Sequence, residues 1–125
     1  MPLKTFTLAE ANAYIPQLEE LLAELQASRE KMVELAPALE SVMAHANSNG
    51  GSKTAGEYLL QLQRFNAAHE LIREIGCEIK DLDNGLIDFP ALRDGRIVYL
   101  CWKRGERRIE YWHELDTGFA GRQKL

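Results

Sequence analysis

Cysteine is scarce in this chain: Cys77 and Cys101 are the only two among 125 residues, without CxxC spacing or a framework of further partners. That excludes a disulfide-stapled secreted scaffold and predicts two buried free thiols. Long apolar runs are missing as well, and residues 1–12 lack a basic stretch leading into an apolar one. Neither a membrane span nor a signal peptide is therefore expected, which places the protein in the cytoplasm. An excess of positive charge is also absent. With 15 Lys+Arg against 19 Asp+Glu and a net charge of −4, general nucleic-acid binding lacks its basic footprint. Walker-type loops, GxGxxG, HExxH and nucleophile-elbow motifs are all absent, which removes the familiar nucleotide, zinc-protease and hydrolase signatures. What is present, 46% hydrophobic and 27% charged residues over 125 positions, describes one globular domain with a core that needs no staple.

Charge divides unevenly. Residues 1–92 carry 7 basic and 14 acidic side chains, net −7, whereas residues 93–125 carry 8 and 5, net +3. The acidic part reads as helix. Thr7 followed by Glu10 forms a capping box that starts a helix near residue 8. From Leu18 the apolar positions step by three and four through Leu21, Leu25, Ser28, Met32, Leu35, Leu39 and Val42. The seam keeps its phase across Pro37, which predicts a kink there and no stop, while Pro16 fits either a kink or the first turn of a new helix. Residues 47–53, with two glycines and two serines, read as a loop. A second helix is expected from near Thr54, with a seam of Tyr58, Leu62, Phe65, His69, Ile72, Gly76 and Ile79. Matched stripes make an antiparallel helical hairpin. A helix of nearly forty residues would be about 57 Å long, against about 36 Å for a compact globule of this size. The hairpin therefore bends or protrudes, and a protruding one exposes apolar flanks that a second copy would cover as a homodimer.

Beyond Gly76 the period becomes alternating. Asn84-Gly85 is a strong hairpin signal, and a two-residue loop there places Leu82 opposite Ile87 and Asp81 opposite Asp88. Facing aspartates, with Asp83 on the same face, require a cation between them. Pro90 is expected to end this strand. Asp94-Gly95 makes the next turn, and strands 96–102 and 107–115 flank a turn at Arg104-Gly105. Centred on that turn, Val98, Leu100, Trp102, Ile109, Tyr111 and His113 share the face that packs on the helices. Ile97, Tyr99, Cys101, Glu110, Trp112 and Glu114 share the other, which is too aromatic for plain solvent and should meet the C-terminal segment, a partner subunit or a ligand. The fold class is thus α+β: an N-terminal helical hairpin over about 1–80 packed with a small antiparallel sheet and tail over about 81–125.

Imidazole and carboxylates are common ligands of divalent ions, so Asp81, Asp88, His113 and Glu114 form the candidate metal set, with Asp116 as a further acid or base. Alternation weighs against His113 and Glu114 binding one ion, because neighbouring strand residues point to opposite faces. His113 and His69 also fit core histidines with one good hydrogen bond each. Arg122, within Gly118-Phe-Ala-Gly-Arg122, is the candidate anion or ligand contact. Lys103, Arg104, Arg107 and Arg108 would be the nucleic-acid patch if there were one, with Tyr99 or Trp112 for stacking; a solvated tip, or a patch facing the acidic helices, is the plainer reading.

Four stretches carry a family resemblance: Thr7-Leu-Ala-Glu-Ala-Asn-Ala-Tyr-Ile-Pro16, Gly85-Leu-Ile-Asp-Phe-Pro90, Tyr99-Leu-Cys-Trp102, and Glu110-Tyr-Trp-His-Glu114 running on through Gly118-Phe-Ala-Gly-Arg122. Over essentially its whole length the chain resembles the uncharacterised bacterial family known as domain of unknown function 2203. The resemblance implies a small bacterial cytoplasmic protein, carries over no catalytic residue, and directs attention to the C-terminal sheet. On the residues themselves, the expected function is a homodimeric protein-interaction module without catalysis. The alternative is a small metal-dependent or acid-base enzyme with a carboxylate and histidine site on the sheet.

Overall fold

The computed structural model describes residues 4–45 and 50–125. Thr7 opens the first helix, α1 (Leu8–Ala13), with the expected capping box: Glu10 N donates to Thr7 Oγ1 at 3.1 Å and Thr7 N to Glu10 Oε1 at 2.9 Å. Pro16 lies in the first turn of a separate helix, α2 (Ile15–Ala44), where a missing amide proton costs nothing. Pro37 sits inside α2 and does not end it. The second long helix, α3 (Gly50–Ile75), begins at Gly50 and not near Thr54; the expected loop at 47–53 lies partly outside the described residues. Gly76, at φ +100°, ends α3 in the left-handed region that a side chain resists.

α2 and α3 pack against each other as the hairpin. With 30 residues α2 is about 45 Å long, and its buried residues stop at Ser28, after Ile15, Leu18, Leu22 and Leu25. Only this basal half rests on the sheet. On α3 the buried residues are Ala68, Ile72 and Ile75, with Phe65 partly buried against the same core, so the expected seam holds at Phe65 and Ile72 and turns toward Ala68 and Ile75 between them. His69 consequently lies outside the core, exposed and stacked 6.3 Å from the Phe65 ring, and Leu62 is exposed as well. The correction has a simple cause: Ile72 and Ile75 fix the phase of the helix where it meets the sheet, and the positions above follow. No helix among the described residues is long and apolar enough to cross a membrane.

The sheet has five antiparallel strands in chain order, β1 (Glu78–Asp81), β2 (Leu86–Arg93), β3 (Arg96–Lys103), β4 (Tyr111–His113) and β5 (Gln123–Lys124). Three details of the expected pairing change. Leu82 to Gly85 form a four-residue turn, so Asp88 faces Glu78, Ile79 faces Ile87, and Asp81 faces Leu86 across a bulge. Asp81 is consumed by the turn itself, accepting from Asn84 N at 3.1 Å and Asn84 Nδ2 at 2.7 Å. With Asp81 and Asp88 no longer opposite each other, no cation is needed between them, and Asp83 pairs instead with Arg29 of α2.

Pro90 does not end β2. It pairs with Tyr99, and its carbonyl accepts from Phe6 N at 2.8 Å on the side away from β3. Both main-chain groups of a strand residue point the same way, so the absent Pro90 N–H would have faced a stretch that β1 does not reach.

The third change matters most. Residues 104–110 form a loop wider than a two-residue turn, held by Trp102 Nε1 donating to Glu106 O at 2.9 Å, Lys103 N to Glu106 Oε1 at 2.7 Å, and Ile109 N to Asn12 Oδ1 at 2.7 Å. Tyr99 then faces His113, Leu100 faces Trp112, and Cys101 faces Tyr111. Trp112 joins Ile87, Phe89, Ala91, Val98, Leu100 and Trp102 in the core beneath the helices, whereas Tyr111 and His113 move to the opposite face with Tyr99 and Cys101.

Both cysteines are free and buried. Burial pushes the Cys77 thiol up to about 12 from an ordinary 9.0. A thiol whose pKa is raised by folding contributes stability below pH 9, and that contribution is lost as pH climbs from 9 toward 12. Urea unfolding at pH 8 and pH 10 should therefore show a loss of about 1 kcal/mol attributable to Cys77, and Cys77→Ala should remove that part of the pH dependence.

Candidate functional site

The face of the sheet turned away from the helices holds a buried cluster of reactive groups. Asp88 comes from β2, Cys101 lies opposite it on β3, and His113 comes from β4. All three are buried, Asp88 and His113 at 2% exposure and Cys101 at 1%. Such burial of a carboxylate and an imidazole demands partners. His113 supplies one: its Nε2 stands 2.9 Å from Asp88 Oδ2, and its Nδ1 stands 2.6 Å from the Glu114 carbonyl oxygen. A carbonyl only accepts, so Nδ1 carries a proton, and Nε2 and Asp88 share a second one. The other carboxylate oxygen, Asp88 Oδ1, has no hydrogen-bond partner.

Ligand atoms of Asp88, Cys101 and His113 all lie within 4.8 Å of one another. Burial, opposed by the neighbouring His113, holds the Asp88 carboxyl above the usual carboxylate range. Burial, reinforced by the nearby Asp88 charge, pushes the Cys101 thiol up to about 11 from 9.0. Left to themselves, both groups resist ionisation. A divalent cation among them reverses that preference, because it attracts both negative charges at close range.

The buried cluster forms the floor of a cleft of 460 Å³ that Lys80, Asp81, Leu86 and residues 115–119 of the tail also line. The tail is anchored by Arg122. Its Nε lies 3.3 Å from Cys101 Sγ, its Nη2 donates to Cys101 O at 3.3 Å and to Glu106 Oε1 at 2.6 Å, and its guanidinium lies 4.3 Å from the Tyr111 ring and 4.7 Å from the Phe119 ring. This is how the aromatic second face meets the C-terminal segment.

The structure brings together only part of the candidate set. Asp88 and His113 are in contact. Asp81 stands at the cleft edge, committed to Asn84, and Glu114 lies on the other face in an ion pair with Arg96. Asp116 lines the cleft from the tail. Arg122 holds the sulfur, a carbonyl and Glu106 through Nε and Nη2, and it is not among the residues that line the cleft. The basic tip is exposed at Lys103, Arg104, Arg107 and Arg108, and part of its charge is met locally: Arg104 pairs with Glu19 at 3.3 Å and with Gln26 of α2, Arg108 pairs with Glu110 at 2.9 Å, and the Lys103 amine lies 5.8 Å from the Phe119 ring centre. Cys101 is the residue sequence reasoning passed over. The signal for it was Trp112: assigning the larger apolar side chain of the Trp112-His113 pair to the core puts His113 on the face of Cys101.

No curated protein and no solved structure matches the chain. A family model, described as an uncharacterized conserved protein, matches residues 4–125. With the match running from the segment that seals β2 to the last residue of the tail, the chain belongs to the DUF2203 family.

Proposed function

We propose that the protein binds a single divalent transition-metal ion through Asp88, Cys101 and His113 at the floor of its cleft. The observation that carries the reading is the convergence of carboxylate, thiol and imidazole donors within 4.8 Å in a buried site. A sulfur, nitrogen and oxygen set suits zinc, cobalt or ferrous iron and not magnesium or calcium. The Nδ1–H of His113, fixed on the Glu114 carbonyl, leaves Nε2 as the ligating nitrogen, the usual outer-shell arrangement at metal-bound histidines. A tetrahedral ion sets such donors about 3.3–3.7 Å apart, which side-chain rotation of about an ångström supplies. A reducing cytoplasm suits the two free thiols.

Loading the site displaces protons from Cys101 and Asp88, so affinity should rise with pH below 9. Zinc at 100 times its Kd should raise the melting temperature by about 10 °C over chelator-treated protein, and magnesium should not. Cys101→Ser and His113→Gln should each weaken zinc binding by at least about 100-fold, beyond the cost of an outer-shell change. No shift with any ion would remove the reading.

A separate observation favours the homodimer. Val33, Met43, Leu59 and Leu60 are roughly half exposed or more on the hairpin, and the distal part of α2 contributes no buried residue beyond Ser28. A second hairpin packed alongside would complete a four-helix core. Light scattering at micromolar concentration should give twice the chain mass, falling to the monomer for a Val33→Glu, Leu59→Glu double variant. A monomeric unsubstituted chain overturns this reading and leaves the metal site untouched.

A further inference from the structure

We infer that the ion's fourth coordination position belongs to a small exogenous molecule held in the cleft, and that this molecule is a neutral donor with an apolar arm in preference to an anion. The inference rests on the reading of Asp88, Cys101 and His113 as ligands and goes beyond it.

The first ground is the count of donors. Among the described residues the metal-competent group contains three side chains and no fourth. Asp116 lines the cleft but falls outside that group, and the remaining acidic groups nearby are committed elsewhere. Asp81 accepts two hydrogen bonds from Asn84, Glu78 accepts from Tyr99 at 2.6 Å and Lys80 at 3.1 Å, and Glu106 holds Arg122. Structural sites close with four protein ligands, whereas sites that bind an outside molecule keep a position open. Here the open side is the cleft.

The second ground is the lining. Leu115 at 55% exposure and Phe119 at 45% line the cleft together with Leu86 and give it apolar surface. A volume of 460 Å³ lies in the range of small-molecule sites, where apolar walls supply affinity and a few polar groups fix orientation. A ligand that touches only the ion would leave these walls in water.

The third ground is charge. Asp88 and Cys101, ionised as ligands, neutralise a divalent ion and leave nothing at the centre to attract an anion. The edge carries Asp81 and Asp116 against the single cation Lys80, which is paired with Glu78 and lies 4.5 Å from the Tyr99 ring centre. Arg122 is not among the residues that line the cleft, and its Nε and Nη2 are held by Cys101 and Glu106. An anion approaching the ion therefore meets like charge and no receptor, while a neutral donor meets neither obstacle.

Cobalt(II) tests the inference because its visible bands report coordination and a thiolate charge-transfer band reports Cys101. Cobalt-loaded protein is titrated with benzamide, a neutral oxygen donor, and with benzoate, which has the same ring and nearly the same shape but a negative charge. The expected result is a shift of the visible bands by benzamide with an affinity at least tenfold tighter than that of benzoate. Leu115→Ser, at an exposed position, should weaken benzamide at least fivefold, and Asp116→Lys should tighten benzoate. A cobalt complex with the thiolate band whose visible bands neither probe moves would show a closed site and overturn the inference while the metal reading stands. Benzoate binding as tightly as the neutral probe would overturn the charge argument. Failure of cobalt to bind at all would remove the metal reading, and this inference with it.

Discussion

Everything distinctive about the site depends on the alignment of β4 against β3. Side chains on a strand alternate, so the alignment decides as a unit which residues of Tyr111–His113 enter the core and which look away from it. Trp112 buries on the helix side beside Leu100, and His113 is thereby delivered to Asp88 and Cys101. The loop at 104–110 sets this alignment. It is pinned from both ends, by the Trp102 indole on the Glu106 carbonyl and by Asn12 of α1 on the Ile109 amide. The burial of Trp112 and the convergence of Asp88, Cys101 and His113 follow from one choice of register.

The electrostatics of the cluster explain why it stands out from an ordinary buried pair. Taking a carboxyl and an imidazole out of water costs several kcal/mol per charge unless partners restore what hydration supplied. His113 is fully partnered, with Asp88 on one nitrogen and a carbonyl on the other. Asp88 is not, since one oxygen remains without a hydrogen bond. Arg122 and Glu106 form their own ion pair beside the sulfur, so the cation nearest the thiol is already balanced. Charge supplied from outside would complete the cluster.

Much of the architecture was legible in the residues. The capping box at Thr7, the seam of α2 as far as Ser28 and the presence of a turn at Asn84-Gly85, though not its four-residue width, follow from local chemistry, and the helical hairpin and antiparallel sheet were readable from period alone. What was not legible depended on distant contacts. The width of the 104–110 loop is set by Glu106 and by Asn12 on another element, and no local pattern encodes it; with a tight turn in its place, His113 falls on the wrong face and Cys101 looks inert. Pro90 reads as a stop because a proline within a strand removes a ladder donor, and only the position of Phe6 shows that the donor was not needed. His69 looked like seam because the phase of α3 is fixed from its sheet end. The chemical residues Asp88 and His113 were recognisable as types, but their meeting required the sheet.

The bond from Phe6 to Pro90 also has a consequence in time. The edge of β2 that β1 leaves bare is closed by a residue translated roughly 80 positions earlier, and at about 5–20 residues per second the interval between them is roughly 4–16 s. α1 and the hairpin can form during that wait, since their contacts are local, but the sheet cannot seal until its last strands have emerged and the early segment has folded back over them. The nascent chain must keep the stretch around Phe6 uncommitted until then. A segment made roughly 80 residues ahead of the strand it closes is thus among the last to reach its place.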